Sequence, residues 1–488
     1  MKMKTIYTWI ILYLLLFTSC GEQVINPEKL NVLPPVFPDY TGVTVPAGIA
    51  PLNFILTIPY DKIDVTISGK KGDLHIQSAK IATIPPSDWS SIIQDNIGDS
   101  LQITVSAKSE GKWRQYLPFA IYISPDSIDY GLVYRLIAPG YEVWSKMGIY
   151  ETCLSTAEQS TILDNKLMAP NCMNCHTFPQ NNPNKMSLHI RGANGATALV
   201  QDGSIEMLAT KTDKMIGNAQ YTYWHPSEKY IAFSTNKTQQ GFHARDEKRV
   251  EVIDLESDVF VYDIINNEMV SCPLISSKKS FETFPSFSAD GKTLYFCTAA
   301  ARPIPEEYDQ IRYNLCSVSF DPVSRTFGNK VDTLVNAEAM SKSVSFPRPS
   351  YDGKYLMFTM SDYGNFSIWH KEADLWLVDL NTGISRSLTE VNSNDVESYH
   401  NWSSNSRWFV FSSRRIDGLY TRPFIANIDS NGRIGKPFLL PQKDPEEYIR
   451  SFYSYNLPEF VTGPVEVNPR DLAAAAMKPE RKQVKSAN

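Results

Sequence analysis

The chain is 488 residues long, carries a formal net charge of −6, and is 42% hydrophobic and 12% aromatic. That length holds two domains or one large repeat array, and the acidic balance argues against nucleic acid as a partner. With 24 Gly and 31 Pro, its apolar segments are short and punctuated, which suggests many strands and turns instead of helices.

Residues 1–20 begin with Lys2 and Lys4, run through the apolar stretch Ile6 to Phe17, and end at Thr18-Ser19-Cys20-Gly21. The pattern is an export signal, too short for a permanent span. The small residues before Cys20 are similar to a bacterial lipoprotein processing site, which implies lipidation of Cys20. Cleavage without lipidation and an uncleaved anchor are the alternatives, Phe17 being bulky for the lipoprotein pattern. Each places the remaining chain outside the cytoplasm, and the resemblance to bacterial lipoproteins implies an address in the cell envelope, on the periplasmic side.

Residues 21–45 are Pro-rich and polar, fitting a tether. Residues 46–117 read as a small β-domain. Alternation marks strands at 53–58, 64–68, 74–77 and 101–105, with a short helix opening near Ser87-Asp88-Trp89. An immunoglobulin-like β-sandwich is the expectation.

Cys172, Cys175 and His176 then spell C-x-x-C-H. That spacing offers two thiols to the vinyl groups of haem and an imidazole as proximal iron ligand. With seven Cys and seven His in the chain, composition alone would produce it in roughly one shuffled sequence per thousand. A redox disulfide, half a zinc site, or a structural bridge with a bystander histidine would use the same atoms. The motif falls in a predicted inter-blade insertion at about 166–184, shorter than a cytochrome c domain. His189 is a candidate distal ligand, and Arg191, on the same strand face, a candidate partner for a haem propionate. Of the other cysteines, Cys297 and Cys316 fall on adjacent predicted strands and are the best-placed couple, with buried free thiols as the alternative.

From here the chain repeats itself. Units ending at Phe233, Phe296, Phe358 and Phe411 lie 63, 62 and 53 residues apart, each with a turn such as Ser288-Ala289-Asp290-Gly291-Lys292 or Ser350-Tyr351-Asp352-Gly353-Lys354 before an apolar strand. Strand pairs such as Asp374 to Leu380 follow, so each unit is a four-stranded propeller blade. A fifth copy starts at Ile123, and the strands at 186–191 and 196–208 supply a degenerate sixth. The expectation is all-β: a six-bladed β-propeller over 118–445 after the small β-domain. His225 and His400 are read as equivalent positions before their hairpins. Residues 446–488 are read as a C-terminal extension with a disordered basic end.

These repeats resemble the WD-like repeats of TolB-type β-propellers, and their union with an exported C-x-x-C-H resembles the TolB-like lipoproteins of Bacteroides-type bacteria. The resemblance covers about residues 118–445. It implies envelope protein contacts and brings no catalytic residues. No H-E-x-x-H, G-x-S-x-G or phosphate-cradling glycine loop is present. The segment Arg414 to Tyr420 is a candidate lining of one propeller mouth.

The functional expectation is an exported propeller with one covalent haem c, attached through Cys172 and Cys175 and ligated by His176. It would serve electron transfer or redox sensing beside an envelope redox partner. The alternative is a haem-free platform that binds proteins or glycans.

Overall fold

The computed structural model describes residues 22–138, 146–168, 171–243 and 245–487. The export signal and Cys20 lie outside these residues. Two compact units are present. One takes in residues 22–47, 51–125 and 441–446, and the other residues 48–50, 126–440 and 447–487.

The smaller unit is built on a seven-stranded sheet in which Lys62–Ser68 lies between Asp73–Ser78 and Ser100–Ser109. Ile63, Val65 and Ile67 point inward with Leu101, Ile103 and Val105, the period of two that a half-buried strand requires. A helix, Pro86–Asp95, starts on a proline at its first turn and buries Trp89, Ile92 and Ile93. Val36–Phe37 and Ile55–Leu56 form a separate two-strand ribbon.

Two boundaries differ from the sequence reading. The segment taken as a tether is part of this unit: Tyr40, Val43 and Val45 are buried, and Thr44–Pro46 pairs with Phe119–Ser124. That second strand also pairs with Ser100–Ser109, so it belongs to the small unit and not to the first blade. Three apolar side chains recurring among prolines are enough to dock such a segment.

The larger unit is a six-bladed β-propeller of six sheets, antiparallel except for the outermost strands of blades 2 and 3. Blade 1 holds Gly131–Ile137, Met147–Cys153 and Gln159–Asp164, and its innermost strand is Ser454–Val461, from the far end of the chain. Gly131 stands opposite Val461 and Ile137 opposite Ser454, so a strand that follows blade 6 in sequence closes the ring onto blade 1. Blades 2 to 6 begin with inner strands Asn171–Thr177, Ala219–Trp224, Ser280–Phe287, Ser343–Pro349 and Glu397–Trp402.

The repeated turn has a local cause. In blade 4 the Ser288 hydroxyl donates to Asp290 (2.6 Å), Lys292 N–H donates to the same carboxylate (3.0 Å), and Thr293 N–H donates to Ser288 Oγ (3.0 Å). Ser350 and Asp352 repeat all three bonds in blade 5, and Ser403 and Asn405 in blade 6. Gly291 and Gly353 take φ of 72°, the left-handed position this turn needs. His225 holds the serine's place in blade 3, accepting from Ser227 N–H at 3.0 Å.

The C-terminal end is ordered, contrary to the disordered tail expected from its charge. Asn468 caps the helix Pro469–Met477 through Arg470 and Asp471 N–H, and Leu472, Ala473 and Ala476 join the core of blades 1 and 2. Lys482–Gln483 and Lys485–Ser486 then add parallel outer strands to blades 2 and 3, with Val484 buried between them. Lysines flank an apolar stripe here, so charge count alone misjudged the segment.

Candidate functional site in the channel-lining strands

Each inner strand carries one extra residue. The cross-strand register slips at the same place in all six blades, and the inserted residue has a positive φ: Cys175 (46°), Tyr221 (48°), Phe284 (51°), Phe346 (53°), Tyr399 (51°) and Leu457 (53°). Such a backbone is costly for bulky L-residues, roughly 1–2 kcal/mol each, so it persists only where packing offsets it. The packing is a ring: Tyr221 and Phe284 centroids lie 4.6 Å apart, Phe284 and Phe346 4.1 Å, and Phe346 and Tyr399 5.0 Å. Cys175 takes the aromatic position of blade 2.

The C-x-x-C-H motif is therefore not an insertion. It is the inner strand of blade 2, and Cys175-His176 is the counterpart of Tyr399-His400 in blade 6. His225 is not the equivalent of His400, because it lies in the turn after its strand, bonded through Nε2 to Gly291 O at 3.0 Å.

Cys172, Cys175 and His176 are 7%, 5% and 3% exposed, and both thiols are free. His189 and Arg191 stand on the neighbouring strand, as expected, opposite Asn174 and Cys172. His176, beyond the bulge, is opposite Leu188. Leu188 and His189 are adjacent on a strand and face opposite sides, so His176 and His189 do not converge on one iron position. His189 Nδ1 is 3.5 Å from Thr197 Oγ1, and Arg191 donates to Gln220 Oε1.

Beneath the ring is a cavity with about 30 Å³ of space for the centres of water-sized spheres, lined by Cys175, His176, Arg348, Tyr399, His400 and Glu459 among others. It admits water and not a porphyrin. In this closed arrangement the motif residues do not fit covalent haem. Among the described residues, no three His, Cys, Asp or Glu side chains group at metal-binding distance.

The electrostatics follow from burial. Desolvation pushes His176, His189 and His400 each down to about 3, with Arg135, Arg191 and Arg348 respectively adding repulsion. Neither ring nitrogen of His176 or His400 has a partner at bonding geometry, although the backbones of Val133 and Leu457 beside His176, and of Met357 and Phe346 beside His400, favour protonation against the stronger effect of burial. Burial lifts Glu459 to about 7 against the pull of Arg348, and its carboxylate accepts from Phe178 N–H at 3.1 Å. Burial also raises the Cys175 thiol, with Arg191 and Arg135 opposing, so this is not an activated thiolate.

Cys297 and Cys316 are also free, and the register explains why. Cys316 is opposite Phe296 while Cys297 is opposite Leu315, which puts the two sulfurs on opposite sheet faces. Arg135, Arg348, Tyr399 and Glu459 were not found from sequence. Aligning the six inner strands on the large residue three places after each bulge, as in Phe178, Trp224, Phe287, Trp402 and Phe460, would have exposed all but Arg135.

No family model matches the chain, and no curated protein does. Among solved structures the chain is similar to several at low identity and low TM-score. A DUF4784 family protein from Bacteroides caccae is 9% identical, with 76% of this chain and 97% of that one covered at a TM-score of 0.31. Porphyromonas gingivalis dipeptidyl peptidase 4 is 10% identical over 61% of this chain and 52% of its own, TM-score 0.30. An arabinanase of Bacillus subtilis is 9% identical over 54% and 92%, TM-score 0.27. Strand topology, and not these likenesses, makes the larger unit a six-bladed β-propeller closed by Ser454–Val461.

Proposed function

We propose that this chain is a haem-free binding platform, an envelope lipoprotein anchored through Cys20, whose recognition surface is the channel end of the propeller. One observation carries the reading: Cys175-His176 occupies a position built six times over by the fold, with Tyr399-His400 as its twin. The residues that suggested cofactor chemistry thus have a packing role already, while the channel they line holds polar groups lacking partners. Partners of the platform are envelope proteins or glycans.

A second reading is favoured by the motif itself, with two free thiols and an imidazole whose nitrogens are unbonded. If the inner strand of blade 2 lifts from the ring during maturation, Cys172 and Cys175 would hold haem c and His176 its iron, supplying one-electron chemistry. The deciding experiment is expression in a periplasm with active cytochrome c maturation, followed by pyridine haemochrome and haem staining of a denaturing gel. A colourless, folded protein supports the platform. A covalent haem signal that Cys175→Ala abolishes overturns it in favour of electron transfer.

A further inference from the structure

The first described residue of the small unit is pinned to its sheet. Glu22 accepts from Lys62 Nζ (2.8 Å) and from Lys108 Nζ, its own N–H donates to Gln77 Oε1 (2.8 Å), and Gln77 Nε2 donates back to Glu22 O (2.6 Å). The Lys108 and Lys62 ammoniums hold its carboxyl down at about 2, so it stays ionised and its charge is met. Register places all three partners on one face. Lys62 stands opposite Lys108, and Gln77 stands opposite Asp64, two residues along the same strand from Lys62. Ile63, Val65 and Ile67 alternate with them onto the other, buried face. Glu22 therefore lies on the outer, polar face of the sheet.

Only Gly21 separates Glu22 from Cys20. Two residues of chain span at most about 7 Å, and the headgroup layer on each side of a bilayer's hydrocarbon core is itself roughly 5–7 Å deep. A lipidated Cys20 has its acyl chains in that core, so the strands that hold Glu22 cannot stand clear of the headgroups. The side chains suit such a neighbour. Seven of the eighteen large apolar side chains exposed among the described residues belong to this unit, although it is the smaller of the two. Tyr122, 50% exposed, projects from the outer face opposite Ser100, while its neighbour Ile121 is buried opposite Leu101. Ile25, 65% exposed, follows Glu22 by three residues, and exposed Leu117 donates its N–H to the carbonyl of exposed Val32 at 2.9 Å. Aliphatic and tyrosine side chains of this kind partition into the headgroup boundary, where one end is apolar and the other wet.

We propose that the small unit is a membrane-facing foot: its outer sheet face lies against phospholipid headgroups, with Ile25 and Tyr122 among the side chains that enter them. The proposal rests on the lipidation of Cys20 in the reading above and extends it, by naming the surface that the anchor holds to the bilayer. The docked Glu22 leaves the anchor no slack, so the lipid fixes this unit at the membrane instead of letting it swing on a tether.

The test uses the full lipidated chain in vesicles of phosphatidylethanolamine and phosphatidylglycerol. Beside it stands a variant with about twelve Gly and Ser residues inserted between Gly21 and Glu22, a linker that reaches roughly 20 Å. Both should float with the vesicles, and both should melt at the same temperature. Lys29 and Lys62 report on the outer face: Lys29 is opposite Gln115, which is opposite Ser106, which is opposite Asp64. A membrane-impermeant amine-acylating reagent, read by peptide mass spectrometry, should modify these two lysines at least about threefold more slowly in the parent than in the linker variant, because the headgroup layer screens them only when the anchor is short. Unlipidated Cys20→Ala, free in solution, should match the linker variant. Equal rates in the parent and the linker variant, whether fast or slow, overturn the foot. A parent that does not float defeats the lipid anchor itself, and flotation reads that failure separately from acylation.

Discussion

The inner strands of blades 2 and 6 are the same backbone with different side chains. Each bulges at a positive φ, each follows the bulge with a buried histidine, and each ends on a large buried ring, Phe178 or Trp402. Blade 6 puts Tyr399 into the axial ring where blade 2 puts Cys175. The difference teaches that the propeller fixes the bulge through six mutually supporting strands and leaves the residue that fills it free to vary. A thiol there reads as cofactor chemistry in the sequence and as a small ring member in the fold.

Removing Ser454–Val461, which lies between these two blades in the ring, should break the comparison most completely. Blade 1 would lose its inner strand, and we expect loss of the cooperative thermal transition; a truncation that melts at the parent temperature would refute ring closure. Next come the strand ends. Trp402→Ala should cost about 4 kcal/mol and Phe178→Ala about 3 kcal/mol in denaturant unfolding, because both leave cavities and Trp402 also donates to Arg348 O at 2.9 Å. Tyr399→Ala should cost about 3 kcal/mol through lost ring stacking.

The paired histidines sharpen the comparison through pH. Burial holds His176 and His400 near 3 when folded, below the ordinary 6.5. The unfolded chain therefore binds more protons between these values, and stability falls as pH drops through that window. At pH 5 each histidine should cost about 2 kcal/mol relative to pH 8, so His176→Gln and His400→Gln should each flatten the acid limb of the stability curve. Buried acids such as Glu459, raised to about 7, act in the opposite direction, so the difference between each variant and the parent is the quantity to measure. Equal flattening in the two variants would confirm that the blades are twins. The smallest effect is Cys175→Ala, about 1 kcal/mol, since a thiol fills little of the ring; a loss as large as that of Tyr399→Ala would assign the thiol a role beyond packing.

The Ser-x-Asp-Gly turns were legible in the sequence because every bond that makes them runs between residues two to five apart, as from Ser288 through Thr293. Six four-stranded repeats followed from them. The C-x-x-C-H triplet was legible as a spacing, and His189 and Arg191 were correctly expected beside it on the next strand. Their relative facing was not, because one inserted residue reverses the side on which His176 emerges. The tail was misjudged for a related reason. Lys482 and Lys485 report a solvated segment, while Val484 and the free edges of blades 2 and 3 decide that it pairs.

By itself the sequence determined the repeat, its turns and the all-β character, since local hydrogen bonds and period-two patterning are properties of short stretches of chain. Only the tertiary structure decided that Ser454–Val461 closes the ring and that the haem-like motif is an inner strand. Those outcomes depend on contacts between residues up to some 330 positions apart, such as Gly131 with Val461, and long-range pairing of this kind leaves no local mark on the residues that make it.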